Sequence, residues 1–357
     1  MGVAFLNLWG FPTLRPRRPL RVPKVSVLIP VRDEEDNIQE CLAAALAQDY
    51  PDFEVLVYEE GSRDRTRALL GEIKDPRLRV FLGEGPPPGW LGKPWACAEL
   101  ARRASGELLL FLDADVRLAP LALPSAVAAL ERENLDLLSL LPRQEMRTFG
   151  EAVHVALLPW SLSAFFPLFL PGLRRVAVGQ FILVRREAYA RSGGHAAVRA
   201  EVLEDLALAS LAARAGLRIR LFFAGDLARC RMYRGFREAN AGLAKNLFPL
   251  FKRRILPFAF VWTWLLYVAW QPLVVLPLAL RGLLSPALAL PAAWAVGLAW
   301  ALWTLAVVRF RLPAWLSLGY PCVHLVAWFT AARSLLWHLA RRGTWKGRSI
   351  HVAGGTA

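Results

Sequence analysis

Between residues 25 and 141 short apolar runs alternate with longer amphipathic stretches. The runs at 25–29, 53–58, 78–82, 108–112 and 137–141 are each bounded by Pro, Gly or charged residues, which predicts buried strands. The intervening stretches at 35–48, 64–73, 94–104 and 121–132 predict helices, with Asp64 as N-cap of the second. Strand and helix alternating in this way predict an α/β domain, a mostly parallel sheet with helices on both faces. Ligands of such sheets bind beyond the C-terminal ends of the strands. Further on, 181–184, 204–214 and 217–223 predict strand, helix and strand.

The pattern changes after residue 255. The stretches 256–280, 283–308 and 316–339 are each long and apolar enough to cross the ~30 Å hydrocarbon of a bilayer. Lys252-Arg253-Arg254 precedes the first, a positive-inside mark that places the preceding domain in the cytoplasm of a multi-pass cell-membrane protein. Three crossings conflict with the same rule, because they put Arg341, Arg342, Lys346 and Arg348 outside. The stretch 316–339, with Gly319, Pro321 and Arg333, is the best candidate for a re-entrant or interfacial segment. The stretch 153–173 is apolar but broken by Pro159, Pro167 and Pro171, and reads as a helix pair at the bilayer interface. The first residues lack the basic start and small-residue cleavage site of a signal peptide. The expected organisation is an interfacial or partial anchor over 1–24, an α/β domain over 25–240, and a membrane domain with two to three hydrophobic helices and a basic tail over 241–357.

Charge sharpens this division. The net charge of +15 suggests a nucleic-acid binder, but all 29 carboxylates lie at or before Glu238 and 12 of the 44 Lys and Arg lie beyond it. The first part is therefore near balance, with no basic face interleaved with aromatics, and nucleic acid is not an expected partner. Mean hydropathy is +0.34 and there are 14 Trp, in keeping with a membrane partner. Cys41, Cys97, Cys230 and Cys322 are scattered without CxxC or neighbouring His, which fits a reducing compartment rather than a zinc site.

Candidate chemistry gathers at the predicted strand ends. Asp113-Ala114-Asp115 follows the apolar run 108–112, and two carboxylates at that spacing can share one hard divalent cation and so neutralise a diphosphate; a solvated loop is the plain alternative. After the first strand, Pro30, Arg32 and Glu34 suit contacts to a base or ribose, or else form a turn and an acidic first helical turn. Glu59-Glu60-Gly61-Ser62 closes the second strand, where Glu60 can accept hydrogen bonds from a base or sit in a solvated turn. Lys93, just before a helix started by Pro94, can meet a phosphate or lie on the surface. Glu204-Asp205 starts a helix, as a general base for an incoming hydroxyl or as a pair favoured by the helix dipole. Arg231 and Arg234 offer two cations for a leaving diphosphate or a basic juxtamembrane stretch. His195, after Gly193-Gly194, reads as structural or substrate-positioning.

Taken in order, these motifs resemble family 2 glycosyltransferases of GT-A fold, over roughly residues 25–235. The resemblance implies Pro30, Arg32, Glu34, Glu60, Lys93, Asp113 and Ala114 as donor-binding residues, and Asp113 and Asp115 as ligands of a divalent metal (Mg or Mn), Asp115 being the more direct. Asp205 matches the catalytic base, and Gln180, Glu204, Arg231 and Arg234 fall to the acceptor or diphosphate. Glu59-Glu60 replaces the family's usual Asp-Asp. Gly89-Trp90-Leu91-Gly92-Lys93-Pro94-Trp95-Ala96, Gly179-Gln180-Phe181, Gly193-Gly194-His195, Arg231-Met232-Tyr233-Arg234 and Thr344-Trp345-Lys346-Gly347-Arg348 resemble the carotenoid (diaponeurosporenoate) and hopanoid-associated subgroup. That likeness implies an inverting transfer of a hexose from a UDP-sugar donor to a lipid acceptor such as a carotenoid or other isoprenoid. Two rivals stand beside it. A processive polysaccharide synthase is opposed by the missing Trp after Arg231-Met232-Tyr233-Arg234, and a non-catalytic nucleotide-sugar-binding membrane protein is favoured mildly by Glu59-Glu60.

Overall fold

The computed structural model describes residues 2–166, 176–340 and 343–349. They fall into two compact units. One holds Phe11–Glu145, Leu168–Arg231 and the chain from Lys346; the other holds Met1–Gly10, Met146–Pro167 and Met232–Trp345.

The first is the predicted α/β unit. Its strands are β1 (Val25–Val31), β2 (Phe53–Glu59), β3 (Leu78–Leu82), β4 (Leu108–Leu112), β5 (Val116–Leu118), β6 (Leu137–Leu141), β7 (Arg143–Gln144), β8 (Phe181–Arg185), β9 (Ile219–Phe223) and β10 (Ala228–Cys230). The main sheet runs β3-β2-β1-β4-β8-β6-β9, and β5-β10-β7 form a small second sheet that the apolar pattern did not predict, its strands being two or three residues long. The pairs β1–β2, β2–β3, β1–β4 and β6–β9 are parallel, while β8 runs antiparallel to both β4 and β6. Each predicted strand appears within two residues of its expected bounds, because continuous Val, Leu and Ile runs are what a sheet covered on both faces requires. Helices α2 (Ile38–Leu46), α3 (Thr66–Glu72), α4 (Gly92–Arg103), α5 (Ala122–Arg132), α8 (Arg186–Arg191) and α9 (Glu204–Arg214) accompany the strands. Asp64 is one residue off its predicted capping place: Arg65 is the N-cap, yet Asp64 Oδ1 still accepts the Thr66 N–H at 2.9 Å and Oδ2 the Glu35 N–H at 3.0 Å. It thus ties the helix start to the loop after β1.

The register of β1 opens the site. β1 pairs with β2 along its whole length but with β4 only from Val25 to Leu28. Pro30, which has no N–H to offer a ladder, sits where β1 and β4 have already parted. Chain order also reverses at β1, since β2 lies on one side and β4 on the other. The crevice is therefore the topological switch point of the sheet.

The second unit is helical: α1 (Gly2–Gly10), α6 (Phe149–Val155), α7 (Leu157–Phe165), α10 (Phe236–Leu247), α11 (Ile255–Leu280), α12 (Ala289–Phe310) and α13 (Leu316–Leu339). Two helices, α6 and α7, cover most of the described part of the apolar stretch 153–173; residues 167–173 of it lie outside the described residues, as do Arg341 and Arg342. Two segments, Ile255–Leu280 and Pro286–Phe310, are long and apolar enough to span a membrane. They leave Leu256, Phe260, Trp264, Leu290 and Trp294 exposed. The third stretch is one continuous helix, and several of its polar residues are matched inside the unit. Thr330 and Arg333 bond Asn240 of α10 at 2.7 and 2.5 Å, and Ser334 accepts the Phe248 N–H at 3.0 Å.

Candidate active site

Three chain segments meet at the end of β4. After Leu112 the chain turns sharply, with the Val116 N–H donating to the Asp113 carbonyl at 3.1 Å. This points Asp113 into a cavity that Pro30, Lys93, Phe111, Gly179, His195, Glu204 and Asp205 also line. Lys93, in the first turn of α4, places its ammonium 2.7 Å from Asp113 Oδ1 and 2.9 Å from Glu204 Oε1. Burial alone would lower the lysine pKa, but the two carboxylates hold it well above its ordinary value. Burial likewise pushes Glu204 up, and Lys93 outweighs it, so Glu204 stays below the usual carboxylate range.

Asp205 is treated oppositely. Burial, with the Glu204 charge next to it, raises its carboxyl to about 6. The Gly179 N–H donates to Oδ2 and the Leu206 N–H to Oδ1, both at 2.8 Å, which fixes its orientation. A Cβ on Gly179 would come within 3.1 Å of Lys93 Nζ and 3.2 Å of Asp205 Oδ2, so only glycine leaves both side chains their places.

Asp115 lies behind Asp113. Its Oδ1 is buried without a hydrogen-bond partner among the described residues, and the Cys230 thiol donates to the carboxylate. Burial, then repulsion from Asp113 and Glu34, raises it to about 7. An orphaned buried carboxylate oxygen beside a second carboxylate fits a hard divalent cation. Among the described residues no three His, Cys, Asp or Glu converge as a metal cage. Two carboxylates completed by substrate phosphates and water is the arrangement Mg²⁺ commonly adopts.

The remaining predicted residues divide. Arg32 donates to the Glu60 and Gly61 carbonyls at 2.6 and 3.3 Å, joining the loops after β1 and β2, and Gly61 takes the positive φ (66°) that its turn needs. Glu59 holds the Ser62 N–H at 2.5 Å, so the two neighbouring glutamates have different tasks. Ala114 is buried in the turn between the two aspartates. Gln180 does not line the cavity: its amide donates to Cys230 Sγ at 3.0 Å and accepts from Gln144 at 3.0 Å, supporting the thiol that meets Asp115. Arg231 closes this unit, whereas Arg234 belongs to the helical one, where its N–H donates to Glu238 at 2.7 Å.

The sequence pattern places Lys346 and Arg348 in a basic membrane tail, but the structure assigns them to the α/β unit. Lys346 Nζ meets Glu34 Oε1 at 2.5 Å and the Arg32 carbonyl at 2.8 Å, while Arg348 pairs with the buried Glu60 carboxylate. Lys346 and Gly347 both have positive φ, 47° and 71°, a tight reversal that sets the two cations on either side of it. A glycine between two cations, Lys346-Gly347-Arg348, is the signal in the sequence that could have found this turn.

In metal-free buffer, Asp115→Asn is expected to raise Tm, and by more at pH 8 than at pH 5. The folded value of about 7 lies above the ordinary carboxylate value, so the unfolded chain gives up its proton first. Stability is lost as pH rises to 7, a loss the amide does not share. A Tm at or below wild type at pH 8 would show that Asp115 is not a strained carboxylate.

Comparison with known proteins agrees with this geometry. Residues 26–193 match the model of glycosyl transferase family 2. The chain is 26% identical over 231 residues to 4,4'-diaponeurosporenoate glycosyltransferase of Staphylococcus aureus, covering 62% of this chain and 60% of that protein. It is 42% identical over 105 residues to O-antigen biosynthesis protein RfbC of Myxococcus xanthus, 29% of this chain and 8% of that one. It therefore spans less than two thirds of the length of either relative. Among solved structures, a mannosyltransferase of Pyrobaculum calidifontis in complex with GDP-Man and Mn²⁺ superposes with a TM-score of 0.55 at 20% identity, covering 94% of this chain and 95% of that one. That likeness shows the fold. Residues 26–193 of this chain are a glycosyl transferase family 2 domain, built on the GT-A fold.

Proposed function

We propose that the protein transfers a hexose from a UDP-sugar to a lipid acceptor, such as a carotenoid or other isoprenoid, in a single inverting displacement at a membrane. The observation that carries this reading is the cavity where Lys93, Asp113, Glu204 and Asp205 converge at the switch point of the sheet. The diaponeurosporenoate relative and the two long apolar helices support the lipid acceptor.

Asp113 and Asp115 would hold a divalent metal (Mg or Mn), which when bound neutralises charge on the departing diphosphate. Lys93 then turns from Asp113 to donate to the diphosphate oxygens. The bond between the anomeric carbon and the diphosphate oxygen breaks, and its electron pair leaves with the nucleotide. An acceptor oxygen forms the new bond from the opposite face and yields its proton to Asp205. Pro30, Arg32, Glu34 and Glu60 frame the nucleotide end, consistent with their place at the ends of β1 and β2.

Chain topology supports the membrane arrangement. The chain leaves the α/β unit after Arg231 and belongs to it again at Lys346, which meets Glu34. Both ends of that excursion lie on one face of the bilayer, so the number of crossings is even. The two candidate spans satisfy this, and α13 then does not cross. Likewise the chain leaves after Glu145 and is back at Val176, too short a path for two crossings of ~20 residues each. Lys252, Arg253, Arg254, Arg309 and Arg311 then fall on the catalytic side and Arg281 on the other, a bias that supports a cytoplasmic catalytic side.

Membranes containing the protein are expected to release UDP from a UDP-hexose with Mn²⁺ and to add a hexose mass to an isoprenoid in a lipid extract. No UDP release and no shifted lipid would sink the reading. Asp115→Asn is expected to abolish transfer. Asp205→Asn should cost about 10²–10⁴-fold for a hydroxyl acceptor and clearly less for a carboxylate acceptor. With a hydroxyl acceptor, the wild-type rate should fall as pH drops through about 6, where Asp205 takes up its proton. A rate unchanged from pH 8 to 5 would remove Asp205 as base. A fluorescent protein fused after Ala357 should fluoresce, and alkaline phosphatase inserted at Gly282 should be active; the reverse pattern would refute the two-crossing topology.

A further inference from the structure

His195 is buried at 2% exposure, yet its ring forms part of the cavity wall beside Glu204 and Asp205. The ring is held on its other faces. Phe111 packs against it with centroids 4.6 Å apart, and Tyr189 at 5.7 Å. The Tyr189 hydroxyl is the polar anchor: it accepts the His195 backbone N–H at 3.0 Å and lies 3.0 Å from Nδ1. Gly194 makes this seat possible, because a Cβ there would come within 2.5 Å of the tyrosine Cζ. Gly193 and Gly194 also take positive φ, 80° and 54°. The Gly-Gly-His motif is thus a device for setting one imidazole on one tyrosine.

That setting favours one tautomer, the one in which Nδ1 accepts from the tyrosine hydroxyl. The tyrosine oxygen already accepts the backbone N–H, and among the described residues the only acceptor in reach of its own proton is Nδ1. Nδ1 is therefore the accepting nitrogen and the ring proton sits on Nε2. Burial keeps the ring neutral, pushing its pKa down to about 4. Among the described residues nothing hydrogen-bonds Nε2. A ring N–H that opens onto the cavity and has no protein partner is a donor for whatever binds there.

We propose that His195 is a catalytic residue of the transfer, donating Nε2–H to the acceptor's nucleophilic oxygen while Asp205 faces the same oxygen. Tyr189 is the positioning residue. This rests on the transferase reading above and gives it a recognition rule. A hydroxyl accepts from Nε2–H and donates to Asp205, satisfying both. A carboxylate accepts from Nε2–H through one oxygen and attacks through the other, and needs no proton removed.

The test uses the full chain in phosphatidylcholine nanodiscs with UDP-glucose and Mn²⁺, and farnesol, retinoic acid or total lipid extract as acceptor. His195→Ala is expected to lower kcat/KM for acceptor roughly ten- to hundred-fold, the scale of a lost hydrogen bond in a closed site. Its affinity for UDP, measured by calorimetry, should stay within about twofold, since the N–H meets the acceptor and not the nucleotide. His195→Gln, which returns an N–H at a similar reach, should recover part of the loss. ¹⁵N spectra of histidine-labelled protein, with His195→Gln for assignment, should show Nε2 protonated, and Tyr189→Phe should shift that signature and lower the acceptor kcat/KM with UDP affinity intact. Unchanged acceptor kinetics in His195→Ala, an equal loss of UDP affinity, or a proton on Nδ1 would each overturn the proposal. If wild type transfers to none of the three acceptors, the transferase reading fails, and the ¹⁵N tautomer still judges the His195 geometry alone.

Discussion

The Lys93 ammonium, shared between Asp113 and Glu204, is the interaction on which the catalytic unit depends. It joins the start of α4, the end of β4 and the start of α9, segments more than ninety residues apart in sequence at their extremes. Withdrawing the cation would leave the part-buried Asp113 and the buried Glu204 facing one another without a counter-charge. Yet such a pair adds little net stability over apolar packing, because each charge must first leave water. Its presence at a sheet crevice is better explained by what the lysine can do when an anion arrives. It already stands among hydrogen-bond acceptors, from which it can transfer its hydrogen bonds to the oxygens of an anion.

The same cation explains why two neighbouring acids are not interchangeable. Glu204 touches Lys93 and is held ionised; Asp205 bonds only the Gly179 and Leu206 N–H groups among the described residues and is pushed up. Adjacent residues at one helix start are thus sorted by environment alone into a carboxylate held ionised and one raised toward neutrality, the general route by which paired carboxylates acquire separate tasks. Asp113 and Asp115 are sorted in parallel fashion: Asp113 is bonded to Lys93, while Asp115 keeps an oxygen with no partner among the described residues. The Gln144–Gln180–Cys230 chain behind Asp115 supplies one weak donor and no more, leaving that carboxylate poised rather than satisfied.

Much of this was legible in sequence because it follows from local rules. The strands of the sheet were readable as apolar runs, and Asp113, Lys93 and Asp205 as polar residues placed at their ends. The short strands β5, β7 and β10 were not, since two or three residues carry no period to detect. The antiparallel β8 lay within a predicted strand, but direction is a property of chain path and not of composition. The resemblance carried by Gly179-Gln180-Phe181 gives Gln180 to the acceptor or diphosphate; only the packing shows that its amide is turned toward Cys230. His195 was left between structural and positioning roles, and the group that decides it, the Tyr189 hydroxyl, is six residues earlier on a different element. Sequence adjacency had no means to select that partner.

Lys346 and Arg348 change how the charge of the chain should be understood. Counted by position they belong to the acid-free, apolar third; counted by partner they neutralise Glu34 and Glu60 in the loops after β1 and β2. Without them the crevice would gather Glu34, Glu60, Asp113, Asp115, Glu204 and Asp205 around Arg32 and Lys93, a concentration of negative charge hostile to a nucleoside diphosphate. Burial pushes the Glu60 carboxyl up, and Arg348 is the strongest influence opposing that push. The basic excess of this chain is therefore of two kinds. Part flanks the long apolar helices, at Lys252, Arg253, Arg254, Arg309 and Arg311. Part is carried by the chain back through the helical unit to balance acids laid down 312 and 288 residues earlier, which makes the path of the chain through the helices a condition of the chemistry at the sheet.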